Sequence, residues 1–244
     1  MSNNLVVIPC YNEESRLDAQ PFLDGISNYG FHLLFVNDGS KDNTLSELNA
    51  IASKNPEFIR VLNLEQNMGK AEAVRAGMDD ALNWKPFDIV GYADADLATP
   101  FVELDRLVKL VNKEHSFVFG SRIVRLGSNI ERNAVRYLFG RISATFASMT
   151  LGLPVYDTQC GAKFFESSLV PFIFNKPFLS RWLFDVELFF RMMNHFGKQQ
   201  AIDKMYEVPL DCWIEMGESK LKMTDVMKVP LELLRIRNHY RSNA

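Results

Sequence analysis

The sequence predicts an α/β protein, a mostly parallel central sheet flanked by helices on both faces. Two patterns predict it. Apolar strand-like runs alternate with amphipathic helical stretches from Asn4 to Lys113, as in parallel strands joined by crossover helices. The runs are apolar at nearly every position rather than every second one, which marks strands buried on both faces. In such sheets ligands bind beyond the carboxyl ends of the strands. The polar clusters of this half (Tyr11 to Glu13, Asp38, and Asp94 with Asp96) fall at those ends.

Taken in order, "NLVVIPCYN" is the first strand, stopping at Pro9, with a helix expected from about Glu13 to Asn28. "FHLLFVNDGS" is the second strand, closed by the turn residues Asn37 to Ser40. Asp42 or Asn43 is suited to cap the helix that follows. "FIRVLNLEQN" is the third strand. Beyond Gly69, "KAEAVRAGMDDALNW" is a helix with an apolar stripe through Ala73, Val74, Gly77, Met78 and Ala81. "DIVGYADADL" is the fourth strand and "PFVELDRLVKLVNK" the fourth helix, opened by Pro100.

The second half is less regular. It holds a short strand in "SFVFGSR", a helix over residues 129–152 and a turn then strand in "YDTQCGAKFF". "WLFDVELFFRMMNHFG" is an apolar helix ended by Gly197, and "YEVPLDCWIE" is a late strand. "EMGESKLKM" is polar and expected to be mobile, and the tail beyond it is amphipathic. No linker, low-complexity tract or repeat interrupts the chain. One domain over residues 1–222 is expected, with 223–244 as its amphipathic tail.

The 244 residues are 47% hydrophobic and 12% aromatic, enough for a sizeable core. Net charge is -3, from 27 Lys and Arg against 30 Asp and Glu, so no nucleic acid is expected as partner and any phosphate recognition must be local. Cys10, Cys160 and Cys212 are odd in number and lack metal-ligand spacing, which fits a reducing cytoplasmic setting. The N-terminus has no signal-peptide pattern, and no apolar run reaches the roughly 18–20 residues that span a bilayer. The expected location is the cytoplasm, either free or at most peripheral at the cytoplasmic face of a membrane.

Several constellations could carry chemistry, and each has a plainer reading. Asp94 and Asp96 end an apolar strand two residues apart, so an extended chain points both carboxylates one way. Such a pair suits a hard divalent cation, Mg²⁺ or Mn²⁺, completed by phosphates; the plainer reading is two solvated turn carboxylates. "PCYNEE" could stack and hold a base, or simply cap a helix. Asp38 could bind a ribose or close an Asx turn. Gly69 and Lys70 open a helix, where anions are favoured, although neither a P-loop nor Gly-x-Gly-x-x-Gly is present. Arg122 and Arg136 stand out in a basic segment as phosphate ligands, because guanidinium forks match phosphate oxygens. Asp157, Asp185 and Glu187 lie in or beside apolar stretches and need partners; for the last two Arg181 and Arg191 on the same helix are the structural candidates.

The ordered set "VVIPCYNEE", "VNDGSKDNT", "NMGKAEAVRAGM", "YADADLATP", "FGSR", "DTQCGAKFF", "RWLFDVELFFR" and "EVPLDCWIEMGESKLK" resembles the family 2 glycosyltransferases, whose fold is the Rossmann-like GT-A. The likeness spans residues 5 to 222 and is greatest to the dolichyl-phosphate β-glucosyltransferases, with the dolichyl-phosphate mannose synthases more distant. The resemblance implies that Pro9, Tyr11, Glu13 and Asp38 hold the nucleotide, with Gly69, Lys70 and Asp94 near its diphosphate. It implies that Asp94 and Asp96 bind the metal. Arg122, Arg136 and Lys220, the last in a closing loop, would take the acceptor phosphate. Asp157 and Asp185 would be the catalytic or sugar-binding carboxylates.

The implied activity is inverting transfer of a hexose, glucose from UDP-glucose, to a polyprenyl phosphate. Related enzymes often carry spanning helices that this sequence lacks. The tail, with Lys228, Arg235, Arg237 and Arg241, would then lie on anionic lipid, or else pack on its own core or on a second copy in an oligomer. The competing readings are transfer to a glycan hydroxyl, use of GDP-mannose, a nucleotidyltransferase, and a sugar-nucleotide binding module without turnover.

Overall fold

The computed structural model describes residues 3–131, 134–216 and 228–242, without side-chain detail at 134–136, 139 and 242. Arg132, Lys220 and the segment 217–227 lie outside the described residues. So does the Arg136 side chain.

A seven-stranded sheet runs in the order β3 (Ile59–Leu64), β2 (His32–Asp38), β1 (Asn4–Cys10), β4 (Ile89–Tyr92), β7 (Lys163–Glu166), β5 (Phe117–Ser121) and β8 (Met205–Pro209). Its first four members are all parallel. β5 and β8 are parallel to each other, while β7 runs antiparallel between β4 and β5. That reversal decides where the later residues go. The start of β7 lies level with the ends of its neighbours, with Lys163 opposite both Tyr92 and Phe119. Residues 157–162, just before β7, are thus delivered to the edge where the parallel strands finish.

Helices cover both faces. α1 (Ala19–Tyr29), α2 (Thr44–Lys54) and α4 (Phe101–Val108) enclose one core, which includes Phe22, Phe35, Leu48 and Leu104. α3 (Lys70–Trp84), α5 (Ala134–Leu151), α7 (Phe184–Phe196) and α9 (Val229–Ser242) enclose the other. The whole predicted stripe of α3, from Ala73 to Ala81, is buried. α6 (Val170–Ile173) and α8 (Lys198–Lys204) are short connectors. A separate pair joins β6 (Asn129–Glu131) to β9 (Cys212–Ile214) in parallel.

Four sequence expectations shift. α1 begins at Ala19 rather than near Glu13, with Asp18 accepting from the Gln20 amide at 3.0 Å. The Thr44 hydroxyl takes the Glu13 and Glu14 amides at 2.8 and 3.1 Å and holds them out of the helix. The helix expected over 129–152 starts only at Ala134, because Asn129–Glu131 pairs with β9. The late strand is two, broken where the Glu103 carboxylate accepts from the Asp211 and Cys212 amides. α7 starts at Phe184, since the Ser180 side chain accepts from the Leu183 amide at 2.9 Å and stops the chain short. The tail packs on its own core through Leu233, Ile236 and Tyr240, leaving Leu231 and Leu234 exposed. No helix among the described residues is long and apolar enough to cross a membrane.

Candidate active site

The carboxyl ends of the parallel strands open onto one cavity of about 590 Å³. Pro9, Tyr11 and Glu13 reach it from beyond β1, Asp38 from the end of β2, and Gly69 and Lys70 from the start of α3. Asp94 and Asp96 line it beyond β4, and Arg122 beyond β5. Nine predicted residues thus share a wall because parallel strands finish on one edge. The lining also includes Arg181, Trp182 and Trp213, together with Glu215 and Met216.

Each wall residue is fixed differently. Asp38 is almost fully buried, and its two oxygens accept from the Met68 and Gly69 amides at 2.7 and 2.9 Å. It shapes the loop that leads into α3 while still facing the cavity. Glu13 pairs with Arg16 at 2.5 Å. The Lys70 ammonium lies 2.5 Å from Asp94. Burial works against that ammonium, yet the charges of Asp94, Asp185 and Asp96 outweigh it and raise its pKa. Burial, and then the charge of Asp94, raises the pKa of Asp96; the Ala98 amide at 3.1 Å opposes this. Leu97, next in the turn, has φ of 51°, a conformation unusual for a branched side chain. Gly161 makes room for the pair: a Cβ there would sit 1.9 Å from an Asp94 oxygen.

The two aspartates have a hard-oxygen donor chemistry that fits Mg²⁺ or Mn²⁺ held by two carboxylates and completed by substrate phosphates. Burial and the nearby Asp94 carboxylate both disfavour the Asp96 anion, and a bound cation would relieve both. Among the described residues no group of three or more His, Cys, Asp and Glu could hold a metal, so those residues would supply only these two ligands.

Asp157 and Asp185, the two candidate catalytic carboxylates, do not line the cavity. Asp157 grips Arg122 from behind in a two-pronged pair, Nε to Oδ2 at 2.7 Å and Nη2 to Oδ1 at 2.9 Å. Burial opposes the Asp157 anion, but the Arg122 guanidinium overrides it and holds the carboxyl well below the usual range. Glu207 on β8 accepts from the Tyr156 and Asp157 amides at 2.9 and 2.7 Å, one step further back. Asp185 is tied to the Lys163 ammonium at 2.6 Å and accepts from the Tyr92 hydroxyl. Its partner is therefore not an arginine of its own helix. Glu187 accepts from the Leu179 and Ser180 amides and from the Tyr240 hydroxyl, and Arg191 donates to backbone oxygens of 173, 176 and 177.

Gly161, Lys163, Glu207, Asn67 and Arg181 belong to this arrangement without being picked out as site residues from the sequence. The "QCG" ahead of an apolar strand was a signal for Gly161; Glu207 and Lys163 had none, since their partners are distant in the chain.

The model of the family "Glycosyl transferase family 2" matches residues 5–170, which carry most of this wall. The chain belongs to glycosyl transferase family 2. A dolichyl-phosphate beta-glucosyltransferase of Trichomonas vaginalis is 32% identical, across 97% of this chain and 71% of its own length. One of Saccharomyces cerevisiae is 30% identical, across 96% and 74%. The crystal structure of glucosyl-3-phosphoglycerate synthase from Mycobacterium tuberculosis superposes with a TM-score of 0.68 at 21% identity, over 98% of this chain and 80% of that one. The fold is thus GT-A, and this family 2 member is a glycosyltransferase.

Proposed function

We infer that this glycosyltransferase moves glucose from UDP-glucose to the phosphate of a dolichyl or other polyprenyl phosphate, with inversion at the anomeric carbon. The names of its relatives support glucose and a dolichyl phosphate. The observation that carries the acceptor type is the pairing of the two inner aspartates. A hydroxyl acceptor needs a general base within hydrogen-bond reach. Asp157 is committed to Arg122 and too weakly basic, and Asp185 is buried on Lys163 and Tyr92. A phosphate monoester is mostly dianionic at neutral pH and needs no base.

Arg122 lines the cavity with its guanidinium set by Asp157, which suits an acceptor phosphate. Arg136 and Lys220 are proposed as further acceptor-phosphate ligands. Tyr11 and Glu13 would receive the base, Pro9 the ribose edge, and Gly69 with Lys70 the diphosphate. Asp38 would act through the Met68–Gly69 loop it holds. A phosphate oxygen then forms a bond to the anomeric carbon as the bond to the departing diphosphate breaks, in line. Mg²⁺ or Mn²⁺, when held by Asp94 and Asp96, would neutralise charge on that diphosphate.

The test is a panel of UDP-glucose and GDP-mannose against polyprenyl phosphate and oligosaccharide acceptors, with Mn²⁺ or Mg²⁺. A chloroform-soluble glucose product is expected, with the acceptor KM raised about 10- to 100-fold in Arg122→Lys. Transfer to the oligosaccharide alone would overturn the reading.

A further inference from the structure

The cavity wall carries four cations: Arg16, Lys70, Arg122 and Arg181. Three face a carboxylate, Arg16 on Glu13, Lys70 on Asp94 and Arg122 on Asp157. Among the described residues Arg181 makes no ion pair. Its Nη2 donates instead to the neutral side chain of Asn67 at 2.6 Å and to the Asn67 carbonyl at 3.3 Å. A cation held in a cavity by neutral groups keeps its charge available for an incoming anion.

The setting says which anion. Gly69, with φ of 93°, turns its open side to this guanidinium; a Cβ there would sit 2.5 Å from Arg181 Nε. Arg181 therefore lies against Asn67 and Gly69 at the start of α3. The loop that presents it is anchored from behind. Glu187 takes the Leu179 and Ser180 amides, and the Ser180 hydroxyl donates to Glu232 of α9 at 2.9 Å. The arginine is thus positioned before any ligand arrives, which reduces the entropy lost on binding.

We propose that Arg181 is a donor-binding residue that holds phosphate oxygens of the nucleotide diphosphate against the Asn67–Lys70 loop. The inference rests on the donor reading given above. It also assigns Asn67 as the positioning residue for that guanidinium.

The test measures binding of UDP and of uridine to the whole chain by calorimetry, then donor and acceptor KM by turnover. In Arg181→Ala, UDP affinity is expected to fall about 10- to 100-fold with uridine affinity unchanged. Arg181→Lys keeps the charge without the fork and should fall between, and Asn67→Ala should weaken UDP by a smaller factor. The thermal transition of Arg181→Lys should match the wild type, since the side chain is exposed in the cavity mouth. Equal UDP affinity in wild type and Arg181→Ala overturns the proposal. So does a loss confined to the acceptor KM, which would make the acceptor the source of the phosphate. Wild-type protein that binds neither UDP nor GDP would sink the donor reading itself, a different and separable failure.

Discussion

Asp157 and Asp185 stand behind the same cavity, each bound to one cation, and they do different work. The Asp157 pair has a face: Arg122 keeps about a sixth of its side chain accessible and looks into the cavity. The Asp185 pair has none, since Lys163 is wholly buried under Tyr92 and also donates to the Cys160 carbonyl. The first pair aims a guanidinium into the cavity. The second locks the antiparallel strand β7 to α7. A buried carboxylate beside such a cavity is thus weak evidence of catalysis until its partner is known.

The largest expected effect comes from breaking the pair without a face. Lys163→Met leaves Asp185 buried and uncompensated and should cost about 3–5 kcal/mol in urea unfolding, a large share of a typical total of about 5–15 kcal/mol. Adding Asp185→Asn removes the stranded charge while keeping an acceptor for the Tyr92 hydroxyl. That double variant should recover most of the stability and retain turnover. The matching change at the other pair, Arg122→Met with Asp157→Asn, should recover its fold and stay inactive. If the Lys163–Asp185 double variant folded but was equally dead, Asp185 would belong to the chemistry after all.

Next in size is the pH dependence of Asp157. Its folded pKa lies below its unfolded value of about 3.9. Its contribution is therefore complete above that value and drains away as the pH falls through the folded pKa. The stability gap between wild type and Asp157→Asn should be full at pH 7, the same at pH 5, and shrinking below about pH 4. Urea unfolding at those three pH values measures it. A gap that closed by pH 6 would mean Arg122 does not hold this carboxylate.

What the sequence made legible follows the same divide. β1, β2 and β4 were readable because burial on both faces leaves an unbroken apolar run, and their ends delivered Tyr11, Asp38, Asp94 and Asp96 to one edge. The pairs were not readable. Arg122 and Asp157 are 35 residues apart, and nothing local says that β7 reverses and brings Asp157 back. The same reversal brings Lys163 to Asp185, in place of the arginines near Asp185 in the sequence. Arg181, read only as such a partner, turns out to sit on the cavity wall. The start of α1 is displaced for a similar reason: Thr44, 31 residues on, takes the amide of Glu13.

The smallest effect should come one step behind Asp157, at Glu207. Gln at this position keeps one oxygen for the Tyr156 and Asp157 amides where Glu has two, a loss of about 1 kcal/mol. Against that stands the cost of burying the charge, which raises the Glu207 pKa above its unfolded value. A raised carboxyl contributes more as the pH falls, since the folded state then binds the extra proton. The gap between wild type and Glu207→Gln should therefore be under about 1 kcal/mol at pH 7 and widen toward pH 4.5. That is the reverse of the Asp157 trend, and thermal unfolding at two pH values separates them. An acceptor KM that moved as far in Glu207→Gln as in Arg122→Lys would shift the aiming of the guanidinium from Asp157 to the strand behind it.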